Sequence, residues 1–166
     1  MKESVSEART AALRLLKFRP RSEAELKSRL SEKGFDEAAV RAVVEDLRRV
    51  GLVGDARFAR YFAAQQISSK PVGRRLLLSR LRSKGVDPHL AEVAVDSATE
   101  GKEDLERARE AASHRTAALK GLPRQTAQRR LFGYLSRRGF SSEVVWKVIK
   151  ERNLTGSDPR GSDPTG

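Results

Sequence analysis

The chain has 166 residues, 38% of them hydrophobic and 34% charged, and its 34 Lys+Arg against 22 Asp+Glu give a formal net charge of +12. Such an excess favours anionic partners: nucleic acid, a nucleoprotein or an acidic protein surface. With no cysteine a disulfide framework, a thiol nucleophile and a cysteine metal site are excluded, and without a run of about 18 apolar residues no membrane span is expected, so a cytoplasmic location follows.

Helical periodicity dominates the chain up to about residue 153 and predicts about nine helices. The first, over 5–18, sets Val5, Ala8, Ala12, Leu13 and Leu16 on one face. Pro20 and a capping box of Ser22 and Glu25 close it and open the second, 22–33, with Leu26 and Leu30. Gly34 ends that helix, because a left-handed residue after a C-cap suits a side chain without Cβ. Phe35 then folds back as the apolar residue of a Schellman end, and Asp36 caps a third helix, 37–50, carrying Val40, Val43, Val44, Leu47 and Val50.

A second unit starts at Asp55, which is placed to cap a helix over 55–69 with Phe58 and Phe62. Helices follow over 72–84, with Leu77 and Leu81, and over 88–99, with Leu90, Val93 and Ala94. Asp87 followed by Pro88 gives the last of these a cap and a proline in its first turn. A third unit spans 103–119, 124–138 and 142–153, with Leu131, Leu135, Val145, Val148 and Ile149 in the matching apolar positions and Ser141 as a cap.

The stretch LKSRLSEKGFD (26–36) returns as LLSRLRSKGVD (77–87) and LFGYLSRRGFS (131–141). A frame repeated at that period, each time a helix end, a tight turn and a new start, indicates tandem units that stack to bury their faces. The expected fold is all-α: an elongated array of three three-helix, helix-turn-helix-like repeats at 1–54, 55–102 and 103–154. Residues 155–166 repeat Gly-Ser-Asp-Pro and are expected to form a disordered tail.

Charge is unevenly placed. Residues 56–86 contain eight basic residues and no acid, and 115–142 contain seven and no acid, whereas 87–110 contain eight acids and three basic residues. At about 100° per residue, Arg57 and Arg60 point away from Phe58 and Phe62, Arg75 and Arg82 lie opposite Leu77 and Leu81, and Arg129 and Arg137 lie opposite Leu131 and Leu135. These six arginines are the expected partner- or nucleic-acid-binding residues. Arg74 and Arg130 fall on helix flanks. Lys33, Lys84 and Arg138, just before the repeated glycines, are read as cations at helix carbonyl ends, each worth about 0.3–1 kcal/mol.

Catalytic signals are absent. His89 and His114 lie in different helices without metal-ligand spacing, and no phosphate-cradling or dinucleotide-binding glycine motif occurs. Neither catalysis nor a cofactor or metal is expected. Phe62, Phe132 and Trp146 are expected in the core or between units, while Tyr61 and Tyr134 are left open.

Taken in order, RPRSEAELKSRLSEKGF (19–35), GLVGDARFARYF (51–62) and KPVGRRLLLSRLRSKGVD (70–87) resemble the RecX family, bacterial modulators of the RecA recombinase, over about residues 8–153. Gly54 stands where relatives often carry a second acid, and Arg80 where they commonly have glutamate. The resemblance implies a non-enzymatic regulator of tandem three-helix repeats, and a monomer is expected. Such a protein binds the RecA–DNA filament along its groove, meeting single- or double-stranded DNA directly or through the filament, and restrains strand exchange, ATP hydrolysis and co-protease activity. No residue-level contacts are carried over. The rival reading is a direct DNA-binding helix-turn-helix protein whose recognition helices would be 37–50, 88–99 and 142–153. Of these, the middle one has no Lys or Arg to meet phosphate.

Overall fold

The computed structural model describes residues 4–100 and 102–154, so the tail expected over 155–166 lies outside the described residues. Ten helices follow in order: α1 (Val5–Phe18), α2 (Glu23–Glu32), α3 (Glu37–Arg49), α4 (Asp55–Ser69), α5 (Arg74–Ser83), α6 (Pro88–Thr99), α7 (Asp104–Ser113), α8 (Thr116–Leu119), α9 (Arg124–Arg137) and α10 (Ser142–Glu151). No strand occurs among the described residues. The fold is all-α, built of three-helix repeats.

Side chains start several helices as their sequence implies. Ser4, Ser22 and Ser141 hydroxyls accept the N–H three residues on at 3.3, 3.1 and 3.3 Å, and the Asp36 carboxylate accepts from Ala39 at 2.7 Å. Asp87 accepts from the N–H of His89 at 2.9 Å, with Pro88 in the first turn of α6. At the other ends, Gly34, Gly85 and Gly139 each close a Schellman turn. The N–H of the following residue, Phe35, Val86 or Phe140, reaches back to Leu30, Leu81 or Leu135 at 3.3, 3.1 and 3.3 Å.

In space the chain forms two units. One takes the chain up to Gln65 together with Leu78–Ala98, and the other takes Gln66–Leu77 with the chain from Thr99. The core of the first gathers Ala8 and Ala12 of α1, Leu26 and Leu30 of α2, Phe35, and Val40, Val43, Val44 and Leu47 of α3. Ala108, Ala111 and Ala112 of α7, Leu131 and Leu135 of α9, Phe140, and Val145, Val148 and Ile149 of α10 fill the core of the second. Alanines on α1 and α7 let those helices come close to their neighbours, and leucines from the second helix of each repeat fill the space between.

Within each unit the same joint recurs. In the first, the Ser22 hydroxyl at the start of α2 donates to the Lys84 carbonyl at 2.7 Å, and a Cβ on Gly85 would stand 2.6 Å from the Ala24 Cβ. In the second, the N–H of Gly73, just before α5, donates to the Arg138 carbonyl at 2.8 Å. A Cβ on Gly139 would collide with the Leu76 side chain and stand 2.7 Å from its backbone nitrogen. The first turn of one repeat's second helix thus rests on the glycine turn of the next repeat. An aspartate completes each joint: Asp55 accepts from the N–H of Glu23 at 2.9 Å, and Asp104 from that of Arg74 at 3.2 Å.

Several expectations are corrected. Asp55 is the first residue of α4 and serves the start of α2, while Gly54 supplies the carbonyl that Phe58 reaches at 3.0 Å. Ser22 caps α2, but Glu25 does not complete a capping box, because its carboxylate is held by Arg19 and Arg21. The helix expected over 103–119 is two helices. At its break the Ser113 hydroxyl donates to the Glu110 carbonyl at 2.6 Å and Arg115 takes an i−3 bond to Ala112, so the chain turns before Leu119 packs on the second core. Val5, Leu13, Val50 and Val93 are exposed rather than core. Val5 lies in a first turn, Val50 lies past the end of α3, and the buried face of α6 runs through Ala91, Ala94 and Val95 instead.

Ala substitution at the glycines is expected to follow this packing. Gly34 (φ +86°) has open space beside it, so Gly34→Ala should cost only the left-handed backbone term, about 1 kcal/mol. Gly85→Ala should cost more, and Gly139→Ala most, because backbone rather than a lone methyl blocks it. Urea denaturation of the three variants checks the order, and equal costs would show that neither joint is tight.

Burial pushes the Glu25 carboxyl up, but the hydrogen bond from Arg19 and the charges of Arg19, Arg21 and Lys84 outweigh it and hold it below the usual carboxylate range. A carboxyl lowered on folding stabilises fully above its unfolded-state pKa, about 4.3, and loses that contribution as pH falls through the folded-state value. Glu25→Gln should therefore be less stable than the parent at neutral pH, and the gap should close on acidification below about pH 4, as read by thermal midpoints.

Candidate functional site

The basic residues fall into two populations. One is consumed by structure. Arg107 is buried, and it donates to the Val72 carbonyl at 3.2 Å and the Lys102 carbonyl at 2.6 Å while pairing with Asp104. Burial pulls its pKa down and the Asp104 charge opposes that; a guanidinium remains charged at neutral pH regardless. Arg138 donates to the Pro71 and Lys70 carbonyls at 2.9 and 3.3 Å, a more specific task than completing its own helix end. Arg109 grips Glu151 through two bonds of 2.8 and 2.7 Å, and Arg9 pairs with Asp46.

The other population faces solvent. Arg57, Arg60, Arg75, Arg82, Arg129 and Arg137 are all exposed, as their helical phase implies. In the second unit the structure brings Arg129 and Arg137 together with Arg115 and Arg130 around a concavity of about 340 Å³, floored by Leu119, Gly133 and Tyr134. The break between α7 and α8 turns Arg115 over the Tyr134 ring, 4.3 Å from its centroid, in a cation–π contact. Gly133 leaves the space in which the Arg137 guanidinium lies, since a Cβ there would stand 3.1 Å from one of its nitrogens. Among the described residues no carboxylate pairs with any of these four arginines.

In the first unit Arg57 joins Lys17 and Arg21 beside Leu13, Leu16, Leu52 and Phe58, around a concavity of about 290 Å³. Arg60, Arg75 and Arg82 line neither concavity. Helical phase alone missed Arg115, whose direction depends on the break in the helix, and left Arg130 on a flank. The signal within reach was that both lie in an acid-free segment. Trp146, expected in a core or between units, is 44% exposed, because α10 buries Val145, Val148 and Ile149 and turns the indole outward against Phe132. Tyr61 is exposed on α4, and Tyr134 takes part in the arginine cluster. His89 and His114 are exposed, and no described cluster of His, Asp or Glu could hold a metal ion. None of the described helices is long and apolar enough to cross a membrane.

Comparison with known proteins matches three family models, described as the first, second and third three-helix domains of RecX, over residues 8–47, 55–95 and 102–149. A protein of Amycolatopsis mediterranei named Regulatory protein RecX is 36% identical over 149 residues, covering 90% of this chain and 85% of its own. The protein of that name from Thermobifida fusca is 34% identical, covering 87% and 77%. The crystal structure of RecX from Lactobacillus salivarius superposes with a TM-score of 0.76 at 22% identity, over 91% of this chain and 97% of that one, a likeness of fold.

The two arginine populations should separate in stability measurements. Arg107→Ala strands the buried Val72 carbonyl and removes the cation paired with Asp104, and is expected to cost about 3 kcal/mol. Arg129→Ala and Arg137→Ala should stay within about 0.5 kcal/mol of the parent. Thermal denaturation of the three variants checks this, and a loss at Arg137 as large as at Arg107 would make it structural.

Proposed function

The chain belongs to the RecX family, and on that premise we propose that it is a regulatory protein, not an enzyme, that binds the RecA–DNA nucleoprotein filament through basic helical faces. Binding restrains the filament's recombinase, ATPase and co-protease activities. The observation that carries this reading is the set of exposed arginines without carboxylate partners gathered at Arg115, Arg129, Arg130 and Arg137, in contrast to Arg107, Arg109 and Arg138, which are committed to carbonyls and acids. Unpaired guanidiniums held on packed helices offer charge-assisted, bidentate contacts to phosphates and carboxylates, the groups a nucleoprotein filament presents.

Binding energy is the whole mechanism. A protein seated on the filament blocks access of incoming DNA and of proteins cleaved there, and one seated at an end stops growth so that disassembly prevails. No bond is made or broken by the chain itself. It acts in the cytoplasm, as a monomer, where its partner assembles.

The helix-turn-helix alternative is less well supplied. Among its candidate recognition helices, α6 carries no Lys or Arg, and on α3 Arg48 is tied to Glu45, which leaves Arg41 and Arg49 exposed. Only α10 keeps exposed positive charge beside an exposed aromatic ring, with Lys147 paired to Glu143 at 3.1 Å.

Replacing Arg75, Arg82, Arg129 and Arg137 together by alanine should abolish inhibition of RecA ATP hydrolysis on single-stranded DNA while circular dichroism shows helicity retained. Undiminished inhibition by a folded variant would reject the basic faces as the contact.

A further inference from the structure

A cluster of arginines by itself accepts any anion. The second unit adds an aromatic shelf beside its cluster. Arg129 lines the arginine concavity and also a second one, of about 320 Å³, which it shares with Gln125, Gln128, Phe132 and Trp146. Along α9 the spacing explains this. At about 100° per residue, Arg130, Gly133, Tyr134 and Arg137 lie to one side of Arg129, and Gln125, Gln128 and Phe132 to the other. The indole of Trp146 stands 44% exposed, with its ring centroid 5.3 Å from that of Phe132 and the planes inclined by 49°. Phe132 therefore supports one part of the indole and leaves the rest to solvent.

We propose that this surface of α9 and α10 binds single-stranded nucleic acid directly, with backbone phosphates on Arg115, Arg129, Arg130 and Arg137 and an unpaired base stacked on Trp146. The two parts demand different things of a ligand. The arginines ask for repeated negative charge, and the indole asks for a flat π-face within a few ångströms of it. A single strand supplies both on one backbone, and stacking accepts any base. A duplex hides its base faces within its own stack, and an acidic peptide brings charge without a face. Gln125 and Gln128 supply amide donors and acceptors at the edge of the shelf, where the polar rim of a stacked base would lie.

This deepens the filament reading by naming the polynucleotide as what this part of the chain touches. Its test contains no recombinase, so failure here leaves filament regulation standing. Trp146 is the sole tryptophan of the chain, so the intrinsic fluorescence of the intact protein reports on the shelf alone. Titration with oligothymidylate should quench it along a saturable curve, whereas inorganic polyphosphate and polyglutamate should compete for the arginines without comparable quenching. In anisotropy with a labelled oligothymidylate, Trp146→Leu should weaken binding at least about fivefold and Trp146→Phe should restore most of it. The joint replacement of Arg115, Arg130 and Arg137 by alanine should flatten the dependence on salt. Oligothymidylate that binds without quenching, or with affinity unchanged in Trp146→Leu, would overturn the proposal. So would quenching by polyglutamate equal to that by the oligonucleotide, which would make the occupant an acidic protein surface, or preference for duplex over single strand.

Discussion

The structure depends on the close approach of one repeat's helix start to the next repeat's glycine turn. At these joints the N-terminal end of a helix, with its unsatisfied N–H groups, meets the carbonyl end of another helix. The Ser22 hydroxyl donates to the Lys84 carbonyl and the Gly73 N–H to the Arg138 carbonyl, and the aspartates at the head of the following repeat accept from the N–H groups of Glu23 and Arg74. Backbone polar groups are thus satisfied where apolar packing would otherwise have to bury them bare. The cost is steric. Gly139 meets Leu76 and Gly73 meets the Gly139 carbonyl, with the Phe140 nitrogen 2.6 Å from where a Cβ would stand, so no side chain fits on either partner.

That constraint also decides which arginines are spent. Arg138 sits at the joint of the second unit and is drawn onto the Pro71 and Lys70 carbonyls. Arg107, one turn into α7, is buried, pairs with Asp104 and donates to the Val72 carbonyl of the same loop. Both belong to the scaffold despite lying in a strongly basic chain. Arginines on the far sides of α9 and at the α7–α8 break have no such work, and they remain free to meet an anion. Net charge alone could not have separated these groups, because the difference lies in which carbonyls and carboxylates come within reach.

Much of the fold was legible beforehand because helices declare themselves locally. Leu26 and Leu30, Leu77 and Leu81, and Leu131 and Leu135 all occupy fully buried positions, as a spacing of four residues on one face requires. The glycine turns were equally plain, since a left-handed backbone is a local need. Errors arose at helix ends and edges. Val50 and Val5 have the right phase but lie where the neighbouring helix no longer covers them, and Val93 lies about 150° round α6 from the middle of the face formed by Ala91, Ala94 and Val95. Glu25 satisfied the sequence pattern of a capping box, yet Arg19, six residues earlier, competes for its carboxylate with charge as well as hydrogen bonds.

By itself the sequence determined an all-α chain of repeated three-helix units, their glycine stops, and the outward phase of Arg57, Arg60, Arg75, Arg82, Arg129 and Arg137. All of these follow from the rotation of one residue to the next along a helix. Tertiary structure alone decided that Asp55 and Asp104 serve helices in the preceding repeat, that Arg107 and Arg138 are structural, and that Arg115 joins Arg129, Arg130 and Arg137 while Trp146 faces solvent beside them. Those outcomes rest on contacts between residues far apart in the chain, for which the local periodicity of a helix carries no information.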